Sequence, residues 1–495
     1  WLSRGLGDVY KRQPMEWLPE GHVVYFVLDV VGQLDLGALV DDIQVQDPRG
    51  TRPYSPQMMV ALLLYGYAVG VFSSRKLERS TYESVPFRVL AGGEHPHFTT
   101  INSFRKRHLA RLEGLFVQVL RLCQKAGMVK LGHVALDGTK VQGDASKHKA
   151  MSHQRMGEEE QRLSEEIERL KRQVGSLLEQ AEEVDASEDA QLGEGQRAED
   201  LPAELKRRED RLARIRQAKA ELEAEASLAR ARALREQAAR AENISESDPD
   251  EAERKRAATR AHSRREKARE LDPSGDDDDT TPPVTRDGLP KHEPAVQPDG
   301  TPQPSAQRNF TDPDSRLMER GGSFLQGYNC QAAVDEAHQV IVAQAVTNQS
   351  PDNGNLVPML EQVRANCGGA PTRTTADAGY WSPEAAEACP QLGTDAYIST
   401  ARKKHTEDAI GAPPTCCDGD DARAQMRRKL QTAAGKEIYR RRKAVVEPVF
   451  GQVKEARGFR RFLLRGLSSV QGEWSLVCAG HNLLKLFRHL QLEPV

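Results

Sequence analysis

Gly132-His133-Val134-Ala135-Leu136-Asp137-Gly138-Thr139-Lys140-Val141-Gln142 is the stretch in which the hydrophobic period of this chain changes from helical to extended. Residues 132–137 read as a buried strand ending in a carboxylate, Gly138 as a turn, and residues 139–142 as a hairpin partner. Two apolar stretches far downstream, 324–334 and 339–346, read as further strands of the same sheet. Beyond them the pattern predicts a helix over 355–365, a strand over 372–377 that ends in Asp377, and a strand over 393–399. A basic helix over 437–457 and an amphipathic one over 474–490 close the chain. The fold class this order predicts is α/β, a mixed sheet flanked by helices.

Upstream, residues 55–128 are helical throughout, with Ser73/Ser74 and Thr99/Thr100 as candidate caps. One predicted helix carries Arg105, Lys106, Arg107 and His108 in a single turn, ahead of an amphipathic helix marked by Leu112, Leu115, Phe116, Val119 and Leu120. Short helices followed by a basic one fit a helix-turn-helix DNA reader, and equally a small bundle with a solvated basic face. Between the two halves of the sheet lies an insertion. Leu163, Ile167, Leu170, Val174 and Leu177 form a coiled-coil seam, and Leu205, Leu212, Ile215 and Leu222 a second one, joined by an acidic loop over 184–200. Residues 246–307, with Asp276–Asp279 and many prolines, are expected to be a solvated, disordered linker. Residues 1–14 have no apolar periodicity that continues past Pro14 and are expected to be non-native or disordered.

Whole-chain charge is uninformative about partners, because 70 Lys+Arg stand against 73 Asp+Glu. Charged residues at 29% against aromatics at 5% call for long solvated helices beside an ordinary core. Seven scattered cysteines without a C-x-x-C pair argue against structural zinc and for reduced thiols in a cytoplasm. The longest apolar run, 58–72, is too short to span a bilayer.

Three carboxylates stand out. Asp137 and Asp377 are predicted at strand ends, where sheet enzymes place their chemistry. Glu447 is an acid in a helix surrounded by Arg440, Arg441, Arg442, Lys443 and Lys454, with Val445, Val446, Val449 and Phe450 making the same stretch apolar. Phosphodiester transfer needs an activated oxygen nucleophile and a stabilised leaving oxygen, which two hard cations about 4 Å apart supply together. Such cations take oxygen ligands, hence Asp and Glu. Lys454, seven residues after Glu447, is expected on the same helix face.

Leu136-Asp137-Gly138-Thr139-Lys140-Val141, Ala376-Asp377-Ala378-Gly379-Tyr380, and Tyr439–Lys443 running into Glu447-Pro448-Val449-Phe450-Gly451-Gln452-Val453-Lys454 resemble the three acidic motifs of bacterial insertion-sequence DDE transposases. The helical block 58–108 and the ending His481-Asn482-Leu483-Leu484-Lys485 resemble them too. The resemblance implies an RNase H-like catalytic domain over 129–154 and 308–495 behind an all-α DNA-binding domain over 15–128, while the seam spacing gives the charged coiled-coil insertion over 155–245. It implies Asp137, Asp377 and Glu447 as catalytic, metal-binding residues holding two Mg2+ ions, with Mn2+ as a substitute. Arg105, Lys106, Arg107, Arg442, Lys443 and Lys454 would contact DNA. The implied substrate is double-stranded DNA, the element's terminal inverted repeats and a target, handled by a homo-oligomer in a nucleoid-associated synaptic complex. The Tyr-Arg-Glu-Lys signature of the broader family places Tyr and Arg where this chain has Arg440 and Lys443, with Tyr439 and Arg442 each displaced by one. A structure-specific nuclease on the same fold and a non-catalytic DNA-binding relic are the alternative readings.

Overall fold

The computed structural model describes residues 17–37, 39, 53–184, 200–401 and 421–492, with side chains undescribed over 174–204. The segment 1–14, most of the acidic loop 184–200, the Cys416/Cys417 loop, and the Val174 and Leu177 side chains lie outside the described residues. The chain forms two compact units. One comprises residues 1–144, 284–291 and 317–495, the other 145–283 and 292–316.

The first unit begins with helices α1 (Val23–Gln33), α2 (Pro56–Val69), α3 (Ser74–Glu83), α4 (Val85–Leu90), α5 (Phe98–Arg107) and α6 (Leu109–Lys125). Ser55 caps α2, which has Pro at its first turn and stops at Gly70 in the left-handed conformation. His97, rather than Thr99 or Thr100, caps α5. Strand β1 (His133–Gln142) comes next. The expected turn at Gly138 is absent: β1 runs straight through it, because its partner is not the next segment but β5 (Ser323–Asp335). The two strands pair antiparallel from Val134↔Asp335 to Gln142↔Gly327. On its other side β1 pairs in parallel with β7 (Arg373–Ala376), which pairs in parallel with β8 (Asp395–Ile398). Strands β4 (Arg316–Arg320) and β6 (Ile341–Thr347) both border β5.

Helices α10 (Leu356–Cys367), α11 (Pro383–Gln391), α12 (Ala422–Gln431), α13 (Ala433–Gly451) and α14 (Leu467–Leu492) flank this sheet. α13 lies against β1, β5, β7 and β8; α14 lies against β6 and against α2 and α6. The edge of β6 away from β5 is closed by side-chain amides. Asn482 of α14 accepts from Ile341 N at 2.9 Å and donates to Ile341 O at 2.8 Å, while Gln362 accepts from Gln344 N and Asn366 donates to Val342 O.

The helical block 15–128, expected as a separate DNA-binding domain, shares one continuous core with the sheet. α14 is the reason. Trp474, Val477, Cys478 and Leu483 are buried along it, and so is Glu473. Glu473 Oε1 accepts from Tyr67 Oη at 3.1 Å, and Tyr67 Oη accepts from Arg105 Nη1 at 3.1 Å. The other Glu473 oxygen takes Leu463 N and Leu464 N at 2.9 and 3.0 Å. Arg105, one of the cations expected on DNA, is therefore 2% exposed and occupied inside the protein, where it also donates to Phe72 O. Lys106 and Arg107 are exposed.

The second unit is built on α7 (His153–Val184), α8 (Asp200–Ser247) and α9 (Glu251–Leu271), with a small ribbon of β2 (Ala150–Ser152) and β3 (Gln307–Asn309). Leu163, Ile167, Leu212 and Ile215 of the predicted seams meet in one cluster with Met156 and Ala218. The expected disordered linker is corrected over 251–271, where α9 packs on α8. The cause is small residues: Ala238 and Ala241 meet Ala261, and Ala231 and Leu234 meet Ala268, so two charged helices approach closely with little apolar bulk. Arg265 and Arg269 pair with Asp278 and Asp277, which gives the acidic tract partners on the helix before it. Buried Arg235 pairs with Asp272 at 2.9 Å at the end of α9.

Arg105→Ala should destabilise the protein by about 3–5 kcal/mol in urea unfolding, because it leaves the Glu473 carboxylate buried and uncompensated. Lys106→Ala/Arg107→Ala should change stability by only about 0.5 kcal/mol, and should lower the salt dependence of DNA binding by up to about two counterions. An Arg105→Ala protein of wild-type stability would remove the structural role assigned to the buried arginine.

Candidate active site

The sheet brings the two aspartates side by side. β1 and β7 run parallel with Ala135 level with Thr375, so two residues further along both strands come to Asp137 and Asp377. Asp137 sits mid-strand, across from Ala332 of β5, and not at a strand end. Asp377 stands just past β7 and caps the short 3-10 turn Ala378–Tyr380, its Oδ1 accepting from Gly379 N at 2.8 Å. Asp137 Oδ1 accepts from Gly138 N, and Oδ2 accepts from Arg442 Nη1 of α13 at 3.1 Å.

Burial pushes the Asp137 carboxyl up from its ordinary 3.8 to about 6; the Asp377 and Asp352 charges push the same way, against Arg442 and the Gly138 N–H. Arg442 is 8% exposed and feels Asp137, Tyr439, Asp377 and Glu447 together, which keeps its guanidinium charged despite burial. Its cation pairs with Asp137 and lies in the field of Asp377.

Asp352 carries no signal in the sequence. It lies in the Ser350-Pro351-Asp352-Asn353-Gly354 loop between β6 and α10, whose composition signals a turn and nothing more. Its Oδ1 accepts from Asn329 Nδ2 at 2.7 Å and Gln331 Nε2 at 2.8 Å, and Lys140 Nζ stands 3.7 Å away. Lys140 also donates to Ser350 O, and Tyr380 Oη donates to Gln331 Oε1.

Glu447 is on the exposed face of α13, since Arg442, Val445, Val446, Val449 and Phe450 form the buried one. It interacts with the aspartates' arginine, Arg442, through charge. Lys454, by contrast, is buried, and lies within the π turn over Gln452–Ala456 into which the helix widens. Lys454 is 8% exposed and donates to Thr139 Oγ1 and to Lys140 O at 2.9 Å. Burial pulls its ammonium down to about 8. In this structure it clamps β1 and does not present a cation at the surface. Lys443 is exposed.

Other polar residues around the sheet have structural partners. Asp335 accepts from Leu131 N and Ala337 N, and Asp144 pairs with Arg461 and Arg465. His133 lies between Thr375 Oγ1 and Glu336. His481, in the motif at the chain's end, takes a hydrogen bond from Arg457 on Nδ1, so its Nε2 carries the proton donated to Gln339 O.

Among the described residues no three His, Cys, Asp or Glu groups converge closely enough to hold a metal ion. The chemistry of the donor set nonetheless suits a hard divalent cation: two carboxylates side by side, with the Asp352 charge near enough to raise Asp137 further. Arg442 is the cation paired with Asp137.

The raised Asp137 value has a testable sign. A carboxyl whose folded value exceeds its unfolded one stabilises the protein below about pH 4 and loses that contribution as pH rises through about 6. In chelator-treated protein, stability should therefore fall between these values and the fall should flatten in Asp137→Asn. An identical pH profile in the variant would show that Asp137 ionises normally.

Residues 401–487 match the family described as Transposase DDE domain, and residues 12–107 match Transposase domain (DUF772). The first match takes in α12, α13 and most of α14, with Arg442, Glu447 and Lys454; Asp137 and Asp377 lie outside both. No curated protein and no solved structure matches the chain. No single helix among the described residues is long and apolar enough to cross a membrane. The matches near the two ends of the chain support a DDE transposase of an insertion sequence, a DNA-cleaving and strand-transferring enzyme in general.

Proposed function

We propose that this chain cleaves insertion-sequence ends at their terminal inverted repeats and joins them to target DNA in a metal-dependent reaction. The observation that carries the reading is the placement of Asp137 and Asp377 on neighbouring parallel strands beneath α13, a helix within the match to the Transposase DDE domain. The sheet order supports an RNase H-like fold: β6, β5 and β1 antiparallel to one another in turn, then β7 and β8 parallel to β1.

Asp137 and Asp377 would hold the cation, with Glu447 as the third carboxylate of this reading. Mg2+, or Mn2+ in its place, would supply an activated oxygen nucleophile and stabilise the leaving oxygen. Tyr439 and Arg442 stand beside the aspartates, Tyr439 through its electrostatic contact with Asp377 and Arg442 through its ion pair with Asp137. Lys454 holds β1, and through it Asp137, in place. The exposed cations Lys106, Arg107 and Lys443 suit the phosphates of a duplex. Double-stranded DNA and a second copy of the chain, bringing two ends together, are the partners of this reading.

Asp137→Asn and Asp377→Asn should each reduce Mg2+-dependent cleavage of a terminal-repeat duplex by at least about a thousandfold, because groups that act as a unit fail as one. Glu447→Gln should do the same, with duplex binding retained in all three, measured by gel shift. Near wild-type cleavage by either aspartate variant would refute the proposed chemistry. Wild-type cleavage by Glu447→Gln would refute only the third ligand.

A further inference from the structure

A glycine follows the acid in both motifs of the site, Gly138 directly after Asp137 and Gly379 two residues after Asp377. Neither is among the glycines with the left-handed backbone that would explain the choice. The explanation is space. A Cβ on residue 138 would stand 2.6 Å from Asp352 Oδ1 and 2.5 Å from Gln331 Nε2; one on residue 379 would stand 3.1 Å from Asp352 Oδ2. A single carboxylate thus lies against both motifs, one oxygen toward each.

That carboxylate is rigidly held. Asn329 and Gln331, both fully buried, direct their amides at Oδ1, and Gln331 is itself fixed by Tyr380 Oη at the end of the turn that Asp377 caps. The chain of contacts therefore runs from the Asp377 turn through Gln331 to Asp352 and on to Lys140, three residues past Asp137. Lys140 feels the charges of Asp352, Asp377 and Asp137, with Asp352 foremost. Without the Asp352 charge, the aspartate pair would be the carboxylates left in the field of the Lys140 ammonium, which would then oppose a divalent cation there by charge.

We infer that Asp352 is a positioning residue of this site, one whose carboxylate wedges the two aspartate motifs at a fixed separation and holds the Lys140 ammonium off them. The inference rests on the reading of Asp137 and Asp377 as the cation-binding pair. It requires no direct bond from Asp352 to a metal. Partners that orient metal-binding residues typically cost about ten- to a hundredfold in affinity or activity when removed.

The test uses the full chain and Mn2+ alone as the probe, with free Mn2+ read by electron paramagnetic resonance. Asp352→Asn keeps the shape and drops the charge. It should melt like wild type, bind Mn2+ about ten- to a hundredfold more weakly, and lose kcat on a terminal-repeat duplex with KM unchanged. Adding Lys140→Met to it should recover most of the lost Mn2+ affinity. Should Asp352→Asn not fold, Lys140→Met alone decides the lysine's part: Mn2+ binding as tight as wild type or tighter supports the inference, and weaker binding overturns it. A folded Asp352→Asn protein with wild-type Mn2+ affinity and kcat overturns the inference, as does a loss confined to melting temperature. If Asp137→Asn loses Mn2+ while Asp352→Asn keeps it, this inference alone fails; if wild type binds no Mn2+, the reading of the aspartate pair fails and this inference with it.

Discussion

Asp137 sits inside the long antiparallel ladder of β1 with β5, two residues past the point where the parallel ladder with β7 stops, and much of the surrounding structure answers that one constraint. A carboxylate at a strand end can swing into solvent; one inside a continuous ladder keeps the direction the pleat imposes. Its charge must then be met where it stands. Arg442 reaches it from α13 and the Gly138 N–H turns onto it, yet burial, with the neighbouring aspartates, still raises its affinity for protons. The π turn after α13 carries Lys454, which donates to Thr139 and to the Lys140 carbonyl on the same strand.

A second polar relay decides how the chain is divided. Arg105, Tyr67 and Glu473 come from α5, α2 and α14, and each is almost wholly buried. Buried charge is stable only with its partners in place, so the N-terminal helices and the C-terminal helix cannot separate without exposing an uncompensated ion. The Asn482 clamp on β6 adds a neutral version of the same device, as one amide serves both the N–H and the C=O of Ile341.

Local pattern carries β1, β5, β6, β7 and β8, the long helices and the two aspartates, because a strand buried in a sheet is a short apolar run that any local window records; β2, β3 and β4 leave no such run. It misreads Gly138, since a turn and a strand glycine look alike until the distant partner β5 is known. It puts Arg105 on the surface because a run of basic residues says nothing about which one a neighbouring helix will cover. Lys454 is covered by β1, a neighbour that spacing along its own helix does not reveal, and α9 is hidden by an alanine face with too little hydrophobicity to register. Asp352 is hidden in turn-forming sequence; only the crowding at two glycines exposes it.

The insertion between β1 and β5 also separates them in time. Val134 and Asp335 pair across roughly two hundred residues, so at ribosomal speeds of about 5–20 residues per second β1 waits on the order of ten seconds or more for its antiparallel partner. The helices α7, α8 and α9 that fill the interval close through contacts nearby in sequence and can fold as they emerge. During synthesis these helices can thus form while the strand edge at Asp137 is still unpaired, and an unpaired edge is a template for wrong pairing.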